Sequence, residues 1–292
     1  IITSFFYCFL TIIKKKVYDL LLMVELEKKY QIGVRRFGLI NWVGTFSLLK
    51  KEILRFITVS GQTLAGPILT SILFLTVISL AIGDERSNVL GVPYIQFLAS
   101  GLIMMQVIQQ SFAHSSSSVM MGKMMGTITD IIHSPLSAAE ITIAITLAGA
   151  ARGLLIALIS TIIFVIFLDL TIQSYFMWFF FLLIGGIFMG AAGIIAGLHA
   201  DKFDQMSTLT NFIIIPLSFL SGTFYSIDKL PHLLKSISYY NPFFHMIDGF
   251  RYSFIGQLDG SFKIGITLLI AVSFITFYLA YYLFDKGYKI KS

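Results

Sequence analysis

The chain has 292 residues, of which 57% are hydrophobic and only 12% charged, and its mean hydropathy is +0.86. That composition lies far outside the range of soluble domains, so most of the chain belongs in lipid and no length is left for a large soluble domain. The formal charge of +6 does not point to nucleic acid, because Lys and Arg sit beside apolar runs rather than in a basic domain, and Cys8, the only cysteine, excludes an intrachain disulfide scaffold and a cysteine metal site.

Residues 1–22 form a biased run without an initiator methionine, ending in Lys14-Lys15-Lys16, and Met23 is the first methionine. The natural start is read there, with 1–22 an upstream or non-native extension; the alternative, a signal peptide, lacks a basic leading region and a small-residue cleavage site. Residues 23–60 then make a cytoplasmic N-terminus with an interfacial helix, and 61–292 a transmembrane domain. Over 46–58 the spacing puts Phe46, Leu49, Ile53 and Ile57 on one helical face, with Lys50, Lys51, Glu52 and Arg55 mostly elsewhere. Such a helix is too charged to span and suits the headgroup plane, its basic side chains in water.

Spanning candidates follow at 61–82, 93–114, 141–168, 175–198, 209–227 and 263–284. An even count puts both termini on one side. If that side is the cytoplasm, only Arg86, Lys229, Lys235, Arg251 and Lys263 of 21 Lys and Arg lie outside, as the positive-inside rule requires. Lys28, Lys29, Arg35 and Arg36, and the tail with Lys286, Lys289 and Lys291, are then cytoplasmic. The third candidate, at about 42 Å, is too long for the bilayer and carries Arg152. Projection into the cytoplasm resolves both, with Gly153 to Leu168 in hydrocarbon and Arg152 at the inner headgroups; a substrate-contacting Arg152 is the sharper alternative. In the fourth, Gly186-x-x-x-Gly190 and Gly193-x-x-x-Gly197 predict close helix packing. Pro216 is expected to kink the fifth.

Two connections are more than linkers. The loop at 115–140 has helical spacing at Met124, Ile128, Ile131 and Ile132 before Pro135, which predicts a short cytoplasmic helix. With Met121, Met124 and Met125 near its apolar side it offers an adaptable docking surface, or else folds back on its own bundle. On the outer side, 227–262 is apolar but broken by Pro231, Asn241-Pro242, Gly249, Gly256 and Gly260, which predicts two short re-entrant helices. Their Tyr239, Tyr240, Phe243, Phe244, Tyr252 and Phe254 either border a translocation route or form an interfacial aromatic belt.

No phosphate-binding GxxxxGK[ST] run occurs: Gly122-Lys123 is followed by Met124, so the chain cannot hold ATP as a P-loop protein does. His114, His133, His199, His232 and His245 are scattered, each read as an isolated interfacial residue, and no HExxH or carboxylate cluster suggests a metal. The spans carry almost no midplane ionisable residues, against ion-coupled transport, and the outer hairpin has no filter-like run, against a channel.

With these features placed, the chain resembles the ABC-2 type permeases, the membrane subunits of a class of ABC exporters, from about Trp42 to the C-terminus, and is most similar to a bacterial inner-membrane subgroup. The resemblance rests on Thr127, Asp130 and Ser134-Pro135-Leu136 followed by Arg152-Gly153, then on Leu220-Ser221-Gly222-Thr223-Phe224-Tyr225, Leu230-Pro231, Asn241-Pro242 and Asp248-Gly249-Phe250-Arg251. Asp130 departs from a glutamate common in relatives, which alters reach more than charge, and the N-terminal extension has no counterpart.

The resemblance implies an all-α integral membrane fold of six spans with the interfacial helix, a cytoplasmic coupling helix and the outer hairpin before the last span. It implies two copies paired in the bacterial inner membrane, each engaging a separate cytoplasmic ABC ATPase that carries the ATP and Mg; the chain itself binds no cofactor and no nucleic acid. Met124, Thr127, Ile128, Asp130, Ile131, Pro135 and Leu136 would receive the push, and Phe46, Leu49, Ile53 and Arg55 would act as a lever on membrane lipids. Arg152, Pro216, Ser221, Phe224, Tyr240, Phe243, Phe244 and Arg251 are the candidates for the route.

The expected function is export of a hydrophobic or amphipathic substrate such as a drug, lipid or glycolipid, with no covalent catalysis. The rivals are an intramembrane enzyme on lipid-linked substrates, whose best cluster is Asp201 and Asp204 beside His199, and an assembly subunit. A capping role for that cluster is the simpler reading.

Overall fold

The computed structural model describes residues 40–82 and 88–289. The expectations for 1–22, for Met23, Lys28, Lys29, Arg35 and Arg36, and for Arg86 and Lys291 lie outside these residues. Among the described residues regular structure is helical, apart from an isolated bridge between Val89 and Val92 that closes a tight turn at Leu90 and Gly91.

Helix α1, Trp42–Thr58, leads through a π-helical turn at Gly61–Ala65 into α2, Gly66–Ile82. Helix α3, Tyr94–Met124, ends at Gly126, which takes a positive φ of 73° and turns the chain into the short α4, Thr127–His133. Helices α5, Ala138–Leu168, and α6, Tyr175–His199, follow. The next helix comes in three pieces: α7, Phe203–Leu209, a π-helical turn at Thr210–Ile214, and α8, Ile215–Leu220. A helical hairpin follows, α9, His232–Tyr239, and α10, Pro242–Ile255, and α11, Phe262–Asp285, closes the fold.

Among the described residues four helical segments are long and apolar enough to cross a membrane: Gly61–Ala81, α5, α6 and α11. The expected boundaries shift in three places. First, α3 continues through Ser115 to Ser118, so the loop before the short helix begins at Met125 and Met124 ends α3 instead of starting that helix. Serines shorten helices only when their hydroxyls draw the backbone away, and here Ser116 and Ser117 bond back to carbonyls of α3 itself. Second, the helix at the place of the expected fifth span begins at Phe203 and stops at Leu220, where Ser221 to Tyr225 leave the helix. Third, Pro216 sits just after a π-helical turn, and Pro67 stands in the same relation to Gly61–Ala65. A proline ring collides with the carbonyl four residues earlier, and a widened turn at that point relieves it without breaking the helix.

α3 is the axis of the bundle. Its 31 residues, about 46 Å of helix, are buried almost throughout by α5, α6, α10, α2 and α8. This enclosure explains why a helix carrying Gln96, Gln106, Gln109 and Gln110 can lie among apolar ones, since its neighbours are protein and not lipid. Backbone-close packing makes the enclosure possible. On α6, a Cβ at Gly190 would come within 2.9 Å of the Thr146 carbonyl of α5 and one at Gly186 within 2.9 Å of Ala150. The next pair turns to α3: Cβ atoms at Gly193 and Gly197 would meet the carbonyls of Phe112 and Ser116 at 2.5 and 2.7 Å. The glycine stripe thus serves two neighbours, because each four-residue step stays on one face while the three-residue step from Gly190 to Gly193 stops short of a full turn and rotates the pair toward α3.

Replacing Gly190 by Leu should force α6 from α5 and lower stability by about 1–3 kcal/mol, read as a lower thermal unfolding midpoint in detergent. Gly66→Ala, which adds a methyl into open space, should not lower it.

Candidate coupling surface and outer hairpin

The short helix α4 and the start of α1 face each other across an open cleft of about 410 Å³. Thr127, Asp130, Ile131, Ser134, Pro135 and Leu136 form one wall, and Asn41, Gly44, Ser47, Leu48 and Lys51 the other. Ile128 turns inward to pack with Leu48 and Val119, while Thr127, Asp130, Ile132 and Pro135 stay exposed. Met121, Met124 and Met125 are exposed at the adjoining end of α3. The loop helix is therefore anchored on one side against its own bundle and open on the other.

Asn41 is the clasp of this surface. Its Oδ1 accepts from the Gly44 N–H at 2.9 Å and so caps α1, and its Nδ2 donates to the Pro135 carbonyl at 2.9 Å. Its backbone N–H donates to Glu140, whose other carboxylate oxygen accepts from the Ser137 N–H at 2.7 Å in a capping box at the start of α5. The Ser134-Pro135-Leu136 turn is thereby tied to α1. The Ser137-x-x-Glu140 pattern is a capping-box signal legible in sequence, but its link to Asn41 is not.

Helix α1 uses a different face from the one its pattern suggests. Thr45, Leu48, Glu52, Phe56 and Ile57 turn inward, Ile57 alone coming from the expected face, while Leu49 and Ile53 are half-buried at the margin and Phe46 is exposed beside Trp42 and Val43. Glu52 is thus not a solvated charge; it is 3% exposed. Its carboxylate accepts from Ser118 Oγ at 2.7 Å and lies 3.4 Å from Arg55 Nε and 3.6 Å from His114 Nε2. Arg55 also donates to the His114 carbonyl at 3.0 Å, and Phe56 meets the His114 ring edge-on at 5.4 Å. His114, expected as an isolated interfacial residue, is one of the most enclosed groups at this joint. One amphipathic period cannot distinguish a face that meets lipid from a neighbouring face that meets α3 and α5.

Arg152 turns into the protein, not along the lipid surface, donating to Gln110 and, at 3.4 Å, to the Thr63 carbonyl. The other route candidates are not gathered on one surface. Pro216 and Tyr240 are exposed, Phe224 is half-buried and stacked 5.2 Å from Phe219, and Ser221, Phe243, Phe244 and Arg251 are buried at the hairpin end of the bundle.

The hairpin is fastened by the residues that form its motifs. Asn241 caps α10 by accepting from the Phe243 N–H at 3.0 Å and donates to Ser221 Oγ at 2.9 Å. Asp248 accepts from the Asp259 and Gly260 N–H groups at 3.0 and 2.9 Å, and Asp259 in turn accepts from Ser226 Oγ at 2.7 Å. Tyr94 Oη donates to the Phe224 carbonyl at 2.9 Å.

Residues 44–255 match the family described as ABC-2 type transporter. The chain is also similar to the inner membrane transport permease YadH of Escherichia coli (strain K12), at 32% identity over 252 residues, 86% of this chain and 98% of that protein. It is similar as well to nodulation protein J of Neorhizobium galegae, at 23% identity over 75% of this chain and 83% of that protein, and to nodulation protein J of Rhizobium leguminosarum bv. viciae, at 22% identity over 75% and 84%. The chain belongs to the ABC-2 type transporter family. This ABC-2 permease is a multi-pass membrane subunit of an ABC transporter, and membership makes it a transport component working with an ABC ATPase subunit and not an enzyme.

The cluster that would serve an enzyme has a mechanical place in the permease. Lys123 donates to the Leu198 and Ala200 carbonyls at 2.8 and 2.7 Å, where α6 ends. Lys289 donates to the His199 carbonyl at 3.0 Å and to Asp201 at 2.9 Å, clasping the C-terminal turn to the same helix end. Among the described residues no group of three or more His, Cys, Asp or Glu could hold a metal.

The hydrogen bond from Lys289 holds the Asp201 carboxyl below its usual range, and the same bond raises Lys289. A depressed carboxyl contributes above its unfolded pKa and loses that contribution as pH falls through its folded value; a raised lysine contributes until pH climbs through its folded value. The clasp should therefore hold at neutral pH and open only in stronger acid than a free aspartate needs. Amide protection over residues 286–289 should show this, and Asp201→Asn should lower that protection at pH 7. Asn41→Ala should loosen the 134–136 turn, with a loss of about 1–2 kcal/mol in local opening measured by the same exchange method.

Proposed function

We propose that this permease is the membrane half of an ATP-driven exporter in a bacterial inner membrane, working as a pair of identical copies. It moves a hydrophobic or amphipathic substrate, such as a drug, lipid or glycolipid, out of the cytoplasm or the inner leaflet. The observation that carries the reading is the clasped cleft between α1 and residues 127–136, which presents exposed Thr127, Asp130 and Pro135 on a segment tied into α1 and α5. A push on that segment passes to α1 through Asn41 and from α1 to α3 through Glu52, so docking there can move the core.

In this reading there are six crossings, with α3 and the α7–α8 segment added to the four apolar ones. Both termini are cytoplasmic, by the distribution of Lys and Arg. The exposed Trp42, Val43 and Phe46 lay α1 against the headgroups as a lever, with Leu49, Ile53 and Arg55 joining it to the bundle. The hairpin α9–α10 covers the outer exit, with Ser221, Phe224, Tyr240, Phe243 and Phe244 at its border and Pro216 and Arg152 along the route below. ATP and Mg are held by the partner ATPase, consistent with the lack of a P-loop run in this chain.

Purification from native membranes should bring down a stoichiometric P-loop subunit with vanadate-sensitive ATP hydrolysis, and photocrosslinkers at Ile132 should reach it. Asp130→Ala should reduce coupled ATP hydrolysis roughly tenfold while stability changes by less than about 0.5 kcal/mol, because Asp130 is exposed. Clean permease without an ATPase, under conditions that preserve known complexes, would overturn the reading.

A further inference from the structure

Arg251, on α10, is fully buried, and its guanidinium carbon lies 3.6 Å from the centre of the Phe97 ring on α3. Only Nη2 is engaged, donating to the Gly222 carbonyl at 2.8 Å and to the Thr223 carbonyl at 3.4 Å, while Nε and Nη1 have no hydrogen-bond partner among the described residues. A buried cation with idle donors weakens a fold, and its presence in a native protein asks for a reason. The surroundings are built around it: α3 carries Gly101 where a Cβ would come within 2.8 Å of both Nη2 and the Thr223 oxygen. The two carbonyls lie just beyond the C-terminus of α8, where a cation also meets the negative end of the helix.

We infer that Arg251 is a positioning residue for transport, a lock that pins the 221–224 turn between α8 and the outer hairpin onto α3 and so keeps the exit closed; this rests on the orientation and exit proposed above. Arg251 does not line the route. When the turn lifts, the guanidinium fork exchanges one carbonyl at a time for other acceptors through Nε and Nη1. A lysine, with a point-like ammonium in place of a planar fork, serves that exchange less well. Tyr94 and Asn241 hold the two ends of the same turn, so the release of Arg251 frees its middle first.

The test uses the full chain with its partner in native membranes, with Cys8→Ser and a reporter cysteine at Thr223, which is fully buried. The rate of modification by a membrane-impermeant maleimide is measured in right-side-out and inside-out vesicles. Arg251→Met should speed labelling from the outer face by about tenfold or more, the opening expected on losing a charge-assisted hydrogen bond. Arg251→Lys should fall between the two. Gly101→Ala, which crowds Nη2 but leaves the cation in place, should also speed labelling. If Arg251→Met does not fold, as judged by size exclusion, the Lys and Gly101 variants decide. Equal labelling in all folded variants overturns the lock. Acceleration seen only in inside-out vesicles keeps the lock and overturns the orientation on which the exporter reading depends.

Discussion

Everything in this fold depends on the enclosure of α3. Apolar helices in lipid gain little from hiding apolar surface, so contact must come from close van der Waals approach and from polar groups that find partners inside. Glycines on α5 and α6 bring backbones against α3, at Gly149 and Gly153 on one side and Gly193 and Gly197 on the other. Once sealed off from lipid, α3 can carry glutamines, serines and a histidine along its length, and these become the attachment points for the moving parts.

Those attachments sit at opposite ends. At one end, Ser118 and His114 meet Glu52 of α1, whose start is clasped by Asn41 to the turn after α4. At the other end, Phe97 and Gly101 meet Arg251 of the hairpin, and Tyr94 holds the turn after α8. A single helix thus joins the cleft between α1 and α4 to the hairpin, through Glu52 at one end and Arg251 at the other. Buried ions are poor sources of net stability but good at fixing one arrangement against another, which is what a two-state transporter requires of its joints.

The motifs that mark the family now have physical content. Asn241 and Pro242 start α10, Asp248 gathers the N–H groups of the 259–260 turn, and Gly222, at a φ of 79°, lets the chain reverse after α8. Arg251 closes the same knot from below. The candidates grouped as a route therefore divide into fasteners of the hairpin, such as Ser221 and Arg251, and residues at its rim, such as Tyr240, which is 82% exposed.

Hydropathy alone determined the helical membrane class and placed α2, α5, α6 and α11, because a backbone in lipid must satisfy its own hydrogen bonds and apolar length is the only local requirement. Glycine spacing announced close packing on α6, and Pro and Gly breakers announced the two short helices α9 and α10. The tertiary structure decided what local pattern cannot hold: that α3 runs on through its serines, that α1 turns Glu52 inward, that Arg152 faces Gln110, and that Arg251 is buried. Each of these depends on a partner far along the chain, and the sign of a polar residue's contribution, solvated or buried, is set by that partner and not by its neighbours in sequence.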